Sequence, residues 1–546
     1  MRYVIIGGVA GGATAAARLR RLDENASITI IEKGEYISYA NCGLPYYIGN
    51  IIKERDKLLV QTAASFSQRF NIDVRILSEA IAINRTNKKV KIKNVTTGII
   101  QDIAYDKLIL SVGAAPFVPP TNGIASNKIF TLRNVADTDK LKNYIQQNHI
   151  KKAIIVGAGF IGLEMAENFH HLGIDVSIVE MGNQILAPAD VSIAKIAENH
   201  LRENGIDVRL QTTITNYENG NENNIIATTS SGEKLEADMV LLSIGVRPDT
   251  HFIAEAGLEM GNANTIVVND YLQTSDEHIY AVGDAIEFEN PITKQKMPTY
   301  LAGPANKQGR MCADNIILGN TRKYKGSVNT AILKLFDLTV AISGVASKNL
   351  EKANISHQIS FTLSASHASY YPDATQLTIQ LAFNITTGQI LGAQIIGKDG
   401  VDKRIDILSH FIQTQQTIFD LMEYEHAYAP PFSSAKDPVN MAAFVAENIL
   451  QKRMPIIHWF ELKKENNLQI IDVRSSDEFK NGKIENALHI PVDELRTRCK
   501  ELDKQQPIVV YCQVGMRGYI AQQILLKNGF PNVRNLSGGY YLYNQM

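Results

Sequence analysis

Residues 2–34 read "RYVIIGGVAGGATAAARLRRLDENASITIIEKG". An apolar run ending in glycines, a helix of small residues and a second apolar run ending in an acid make a βαβ unit. Gly7, Gly8, Gly11 and Gly12 permit a tight turn and a close approach of backbone to a phosphate. The G-x-G-x-x-G pattern is incomplete, because its third position is Val9. Glu32 ends the second strand 20 residues after Gly12, where a carboxylate can accept both hydroxyls of an adenosine ribose.

The pattern recurs in "KKAIIVGAGFIGLEMAENFHHLGIDVSIVE". Here Gly157, Gly159 and Gly162 complete the motif, and Glu180 follows the last glycine by 18 residues. One glycine turn is weak evidence; two in strand–turn–helix context, each with its acid, are strong. Two dinucleotide folds in one chain predict FAD plus a nicotinamide cofactor. Glu180 favours NADH, since a carboxylate repels a 2′-phosphate and the next residues, Met181, Gly182 and Asn183, bring no arginine. FAD is expected in the first fold and NADH in the second. "DKLILSVGAAPFVPP" reads as a crossover between domains, and "TSDEHIYAVGDA" places Asp284 after a strand, at an expected helix start where it could accept hydrogen bonds from a flavin ribitol, with a helix cap as the competing reading.

The expected class is therefore α/β, with two Rossmann-like domains, an α+β dimerisation domain and a small C-terminal α/β domain. The divisions are 1–115 with 240–322 for FAD, 116–239 for NAD, 325–447 for dimerisation, 448–466 as a connection and 467–546 for the last domain. A chain of 546 residues accommodates this number. The net charge of −1 and 45% hydrophobic content suit a soluble enzyme and give no sign of nucleic-acid binding. No apolar run reaches membrane-spanning length. The N-terminus runs directly into a strand without signal-peptide features, so a cytoplasmic protein is expected. The four cysteines, Cys42, Cys312, Cys499 and Cys512, form no C-x-x-C and have no histidines at zinc-ligand spacing. No metal site is expected, and each thiol is read as free.

The stretches "GGVAGG", "SYANCGLPYYIG", "GAGFIGLE", "YAVGDA", "LAGPANKQGR" and "YAPPFSSAKDP" make residues 1–447 resemble the pyridine nucleotide-disulfide oxidoreductases. Within them the similarity is to the single-cysteine branch, the coenzyme A disulfide reductases and NADH-dependent persulfide reductases. Residues 455–546 resemble a rhodanese through "IDVRSSDEF", "ALHIPVDEL" and "CQVGMRG". The resemblance implies that Cys42 is a redox thiol facing the flavin, beside Asn41 and bound coenzyme A. Without a C-x₄-C partner, attack by Cys42 yields a mixed disulfide, a persulfide or a sulfenate. A nearby helix start is expected to lower its pKa.

Arg18, Arg20 and Arg21, on the first helix, are candidates for coenzyme A phosphates, with a solvated helix face as the competing reading. Ala63, Ala64 and Ser67 replace a proline, a glutamate and a lysine of the family pattern, which removes one expected phosphate contact. The resemblance also implies a homodimer in which Tyr370 and Tyr428 come from the other subunit and handle a proton. Tyr371 is the alternative to Tyr370, and His426 is read as structural or surface. In the last domain, Cys512 begins a C-x-x-G-x-R loop suited to a thiolate or persulfide anion, with Arg517 stabilising charge. Asp472 and Arg474 tie that loop to the core, and Cys312 and Cys499 are bystanders.

The leading expectation is NADH-dependent reduction of persulfides or polysulfides, with sulfur delivered by Cys512. Alternatives are a coenzyme A disulfide reductase maintaining a thiol pool, an NADH oxidase or peroxidase, and a rhodanese sulfur-carrier module. Related oxidases usually carry serine before the cysteine. Asn41 followed by "GLPY" favours the sulfur enzymes.

Overall fold

The computed structural model describes residues 1–220 and 224–546. They form two compact units: Met1–Ile185 with Gly205–Asn329, and Leu186–Asn204 with Thr330–Met546.

The first unit is built on two parallel five-stranded sheets. One has the order Ile279–Ala281, Lys107–Leu110, Arg2–Ile6, Ser27–Ile31, Asp73–Arg75. Tyr3 pairs with Ile28 on one side and Lys107 on the other. The central strands read as apolar runs because both faces of the sheet are covered, with Ala80, Ile83, Val90 and Ile92 of the antiparallel strands Ser78–Asn84 and Lys89–Asn94 sharing its core. The helix Ala10–Leu22 is rich in glycine and alanine for a packing reason. It lies against the helix Ala302–Leu318 so closely that a Cβ on Gly309 would sit 2.2 Å from the carbonyl oxygen of Gly11. The second sheet has the order Asp207–Arg209, Asp175–Val179, Lys152–Val156, Met239–Leu242, Ile129–Thr131. The expected boundary at residue 240 thus cuts a strand, and this sheet extends through Leu242. Asp284 stands in a short 3₁₀ turn, Gly283–Ala285, and not at a helix start; the next helix begins at Ala302.

The second unit pairs an antiparallel sheet with a parallel one. The antiparallel order is Ala331–Leu335, Leu338–Gly344, Ile390–Gly397, Gln376–Asn384, His357–Ala365. The parallel order is Ile456–Ile457, Val533–Leu536, Ile508–Tyr511, Gln469–Asp472, Leu488–His489. Residues 448–466, expected as a connection, hold the end of the helix Pro438–Leu450, the edge strand Ile456–Ile457 and the helix Trp459–Leu462. A two-residue strand carries too little periodicity to be read, yet Ile456 pairs with Asn535 and places the start of the last domain before residue 467.

The helix Val191–Glu203, expected in the NAD domain, groups with this second unit. Trp459 Nε1 donates to Ser192 Oγ at 2.9 Å, and Asn199 Nδ2 donates to the Gln545 carbonyl at 3.0 Å. Phe361 N–H donates to Ser537 Oγ at 3.3 Å. The last domain is therefore fixed to the antiparallel sheet and is not hung on a flexible tether.

His458 is buried at this junction, 3.2 Å from Gln358 Nε2. Burial pushes its imidazole down to about 4. The unfolded chain takes up a proton near pH 6.5 that the folded protein refuses. Stability is unaffected above that pH and is lost between it and pH 4, by on the order of 3 kcal/mol over the whole interval. Trp459 is the chain's single tryptophan, so its fluorescence reports unfolding at this junction. Urea titrations are expected to lose more midpoint on acidification for wild type than for His458→Gln; equal losses would contradict this.

Candidate active site

The first glycine turn is held open by backbone. Gly7 has φ +97°, and a Cβ there would lie 2.1 Å from the Ser111 carbonyl oxygen. A Cβ on Gly12 would lie 1.9 Å from the Gly7 carbonyl oxygen. Glu32 is fixed at both oxygens: Gly8 N–H donates to Oε2 and Gly34 N–H to Oε1, each at 2.8 Å. Burial raises its carboxyl above the usual range. Each oxygen keeps a second lone pair for a ribose hydroxyl. A cavity of about 510 Å³ opens here, lined by Gly7, Glu32, Asn41, Gly113 and Arg133. The Asn41 Oδ1 atom is buried with no hydrogen-bond partner among the described residues. The acid, the open turn and an acceptor awaiting a donor fit FAD.

Arg133 has no motif around it and is not recognisable in the sequence. Its Nη2 donates to Asp284 Oδ2 at 3.1 Å, bringing a positive charge to the same cavity.

The second turn repeats the geometry. Gly157 has φ +102°, with the Ser243 carbonyl oxygen 2.5 Å from a Cβ placed on it. Ala158 N–H and Gly182 N–H donate to Glu180 Oε2 and Oε1 at 2.8 and 2.7 Å. A Cβ on Gly159 would meet nothing within 4 Å, so packing does not require this glycine. The space it leaves, at the start of the helix Phe160–His171, suits a pyrophosphate.

Cys42 occupies the turn Asn41–Gly43 ahead of the five-residue helix Leu44–Ile48, and it is exposed. The expectation of a lowered thiol pKa is corrected. Although solvent reaches the residue, partial desolvation by the surrounding protein raises the thiol, and the carboxylates of Glu164 and Asp284 raise it further. A helix this short offers little dipole to oppose them. Glu164 is itself pushed up to about 7 by burial, and the Tyr46 hydroxyl lies 3.5 Å from its Oε1. Neither residue was singled out in the sequence, although Tyr46 lies in "SYANCGLPYYIG" and Glu164 ends "GAGFIGLE". The helix that follows the thiol is clamped from two sides. Lys142 Nζ donates to the Tyr47 carbonyl at 2.5 Å and to Asn50 Oδ1 at 2.9 Å, and Gly49 abuts Asn168.

Of the three arginines on the first helix, Arg20 is buried and donates to the carbonyls of Phe70, Asn71 and Glu24. Arg18 Nε donates to Asp314 Oδ1 at 2.7 Å, while Arg21 is exposed. Ser67 Oγ donates to the Ile72 carbonyl.

In the second unit, the Tyr370 and Tyr428 hydroxyls lie 2.8 Å apart, and the two residues are 74% and 48% exposed. Tyr371 packs edge-on to His367. The His426 side chain is buried, and burial lowers its imidazole pKa.

Cys512 is buried at the end of the strand Ile508–Tyr511. Gly515, at φ +127°, turns its N–H to donate to Cys512 Sγ at 3.1 Å, and the helix Met516–Lys527 begins immediately after. Both oxygens of Glu478 accept from Arg517 at 2.7 Å, and this bidentate pair holds the Glu478 carboxyl down to about 2. Arg517 thus meets the thiol site already paired, through a glutamate that sequence reasoning missed. Arg474 Nη2 donates to Asp472 Oδ2 at 2.6 Å, and its Nη1 reaches Gln513 Oε1 at 3.1 Å, joining loop to core. Cys312 is buried in a helix, and its thiol is pushed far up by burial. Cys499 lies partly buried in a charged turn. Among the described residues no cluster of three metal-ligating side chains occurs, and no helix is long and apolar enough to cross a membrane.

These features define a two-dinucleotide reductase carrying a lone thiol, joined to a second domain with a loop-bound thiol. Residues 1–309 match the pyridine nucleotide-disulphide oxidoreductase family, residues 330–438 its dimerisation domain and residues 458–546 the rhodanese-like domain. The chain is 36% identical over 448 residues to a coenzyme A disulfide reductase of Staphylococcus haemolyticus, covering 82% of this chain and 100% of that protein. The reduced CoADR-RHD of Bacillus anthracis superposes with a TM-score of 0.97 at 46% identity, covering 100% of this chain and 98% of that one. A NAD-dependent persulfide reductase from A. fulgidus gives 0.94 at 37%, covering 99% and 100%. The chain belongs to the pyridine nucleotide-disulphide oxidoreductases, with a rhodanese-like domain at its C-terminus, and is an FAD- and NAD(H)-dependent enzyme.

Proposed function

We propose that this enzyme reduces persulfides and polysulfides with NADH, releasing sulfide: R–S–SH + NADH + H⁺ → R–SH + H₂S + NAD⁺. The observation that carries this reading is the presence in one chain of two separately built thiol sites, Cys42 beside the flavin cavity and Cys512 in a loop that donates a backbone N–H to sulfur. The likeness along the full chain to a persulfide reductase agrees with it.

Bound FAD supplies a two-electron path from NADH to sulfur. The rest of the cycle belongs to the chain's own residues. The Cys42 thiolate attacks the inner sulfur of the persulfide, displacing hydrosulfide and forming a Cys42–S–S–R mixed disulfide. Two electrons then break that bond, returning the Cys42 thiolate and R–S⁻, which takes a proton. Glu32 and Glu180 would hold the riboses of the two dinucleotides, and Asp284, paired with Arg133, would meet the polar part of the FAD. Glu164, with a value near 7, holds or yields a proton beside the thiol at neutral pH.

The working form is a homodimer in the cytoplasm, with Tyr370 and Tyr428 of one subunit serving Cys42 of the other as proton-handling phenols. Cys512 takes sulfane sulfur from a donor as Cys512–S–SH, and that persulfide, or a coenzyme A persulfide formed from it by transfer of the outer sulfur, is the R–S–SH that Cys42 attacks. Arg18 and Arg21 meet coenzyme A phosphates. Ser67, engaged with a backbone carbonyl, does not replace the family's lysine, so coenzyme A is a transient carrier here.

A second reading, reduction of coenzyme A disulfide to two thiols, is favoured by the staphylococcal relatives. Anaerobic assays separate the two. With a persulfide, one sulfide is expected per NADH, at a kcat/KM at least tenfold above that for coenzyme A disulfide. The reverse order would move the assignment to thiol-pool maintenance.

A further inference from the structure

The exposed Tyr370–Tyr428 contact rests on a buried charge pair. Arg404 and Asp437 both have fully buried side chains, joined by Nη2 to Oδ2 at 2.9 Å and Nε to Oδ1 at 3.1 Å. Arg404 spends its other donors on backbone: Nη2 also donates to the Ser366 carbonyl at 2.7 Å and Nη1 to the Gly400 carbonyl at 2.9 Å. Asp437 accepts from Ser433 Oγ at 2.5 Å and from the Val439 N–H at 3.0 Å. The Ser433 carbonyl in turn accepts from the Ala368 N–H at 3.0 Å. Lys403 Nζ and His426 Nδ1 each stand 3.9 Å from this carboxylate. The segments carrying Tyr370 and Tyr428 therefore meet beneath the surface at one fork of charge.

Two exposed tyrosines do not hold a hydroxyl contact by themselves, because freezing both side chains costs conformational entropy. The alignment has to come from the backbone below. A buried ion pair is weak evidence for stability, and its desolvation often cancels its attraction. What a planar, bidentate guanidinium supplies is geometry. Here that geometry fixes the two loops whose phenols meet at 2.8 Å.

We propose that Arg404 and Asp437 are positioning residues for the two-tyrosine pair, holding Tyr370 and Tyr428 at the separation needed to deliver a proton to sulfur. This rests on the reading above that the phenols handle that proton.

The test uses the full-length holoenzyme. Arg404→Met combined with Asp437→Leu removes both charges at once and leaves neither buried alone. The double variant is expected to keep its FAD and its wild-type rate of reduction by NADH. Its kcat on persulfide should fall at least tenfold with little change in KM for NADH. Adding Tyr428→Phe should cost nothing more, because the aligned phenol is already lost. A double variant with wild-type kcat, set against a Tyr428→Phe enzyme slowed tenfold, would overturn the inference and leave the role of the phenols standing. A Tyr428→Phe enzyme at wild-type rate would remove that role, and the inference with it. If the double variant does not fold, Ser433→Ala withdraws only one hydroxyl from Asp437. Its loss in kcat, expected near threefold, should vanish in the Tyr428→Phe background. Losses that multiply would overturn the proposal.

Discussion

The Cys42→Ser enzyme is expected to bind FAD, accept electrons from NADH and then stop, with persulfide turnover down by at least about 10³-fold. A serine hydroxyl is not ionised near neutral pH and forms no bond to sulfur, so the mixed disulfide cannot arise. The dinucleotide sites are assembled without the thiol. Glu32 is held by Gly8 and Gly34, and Glu180 by Ala158 and Gly182. Electron entry and sulfur reduction should separate cleanly, with the first half untouched. Absorbance of the bound FAD during NADH addition checks the first half, and sulfide release checks the second. Turnover that survives the substitution would mean that persulfide takes electrons without a covalent protein intermediate.

Cys512→Ser is expected to abolish sulfur transfer from thiosulfate to cyanide, again by at least about 10³-fold, while leaving reduction of a small polysulfide within twofold of wild type. The loop around Cys512 is shaped for an anionic sulfur. Gly515 donates its N–H to Sγ, and the helix Met516–Lys527 starts beside it. That machinery serves donors that load Cys512 first. Small polysulfides reach the exposed Cys42 without it. Persulfide presented on a donor protein should therefore slow in Cys512→Ser, whereas free polysulfide should not. Wild-type rates with both would contradict a relay and leave the rhodanese-like domain as a passive appendage.

What could be read from the sequence was local. The strand–glycine turn–helix–strand–acid order of each βαβ unit is written in about thirty consecutive residues, whereas the carbonyls of Ser111 and Ser243 that crowd Gly7 and Gly157 come from far along the chain. Both copies, at Gly7–Glu32 and Gly157–Glu180, have the expected strand–turn–helix–strand order. What could not be read was long-range. The Cys42 pKa argument relied on a helix start, but the helix has five residues and the acids that act on the sulfur come from positions 164 and 284. Arg133 and Lys142 carry no motif because their partners lie far along the chain, and Glu478, one letter of "IDVRSSDEF", meets Arg517 39 positions on. The 448–466 segment looked like a connection because its strand is too short for a period to show. Asp437 read as one letter of a resemblance; its burial against Arg404 is visible only when residues 33 positions apart meet.

The central claim is that electrons entering as NADH leave as sulfide through Cys42. The most direct test is anaerobic stopped-flow on the FAD-loaded wild-type protein, reduced with one equivalent of NADH and then mixed with a persulfide or with coenzyme A disulfide. Rapid reoxidation by persulfide, yielding one sulfide and absent in Cys42→Ser, is the predicted result. Rapid reoxidation by coenzyme A disulfide alone, with persulfide inert, would contradict it.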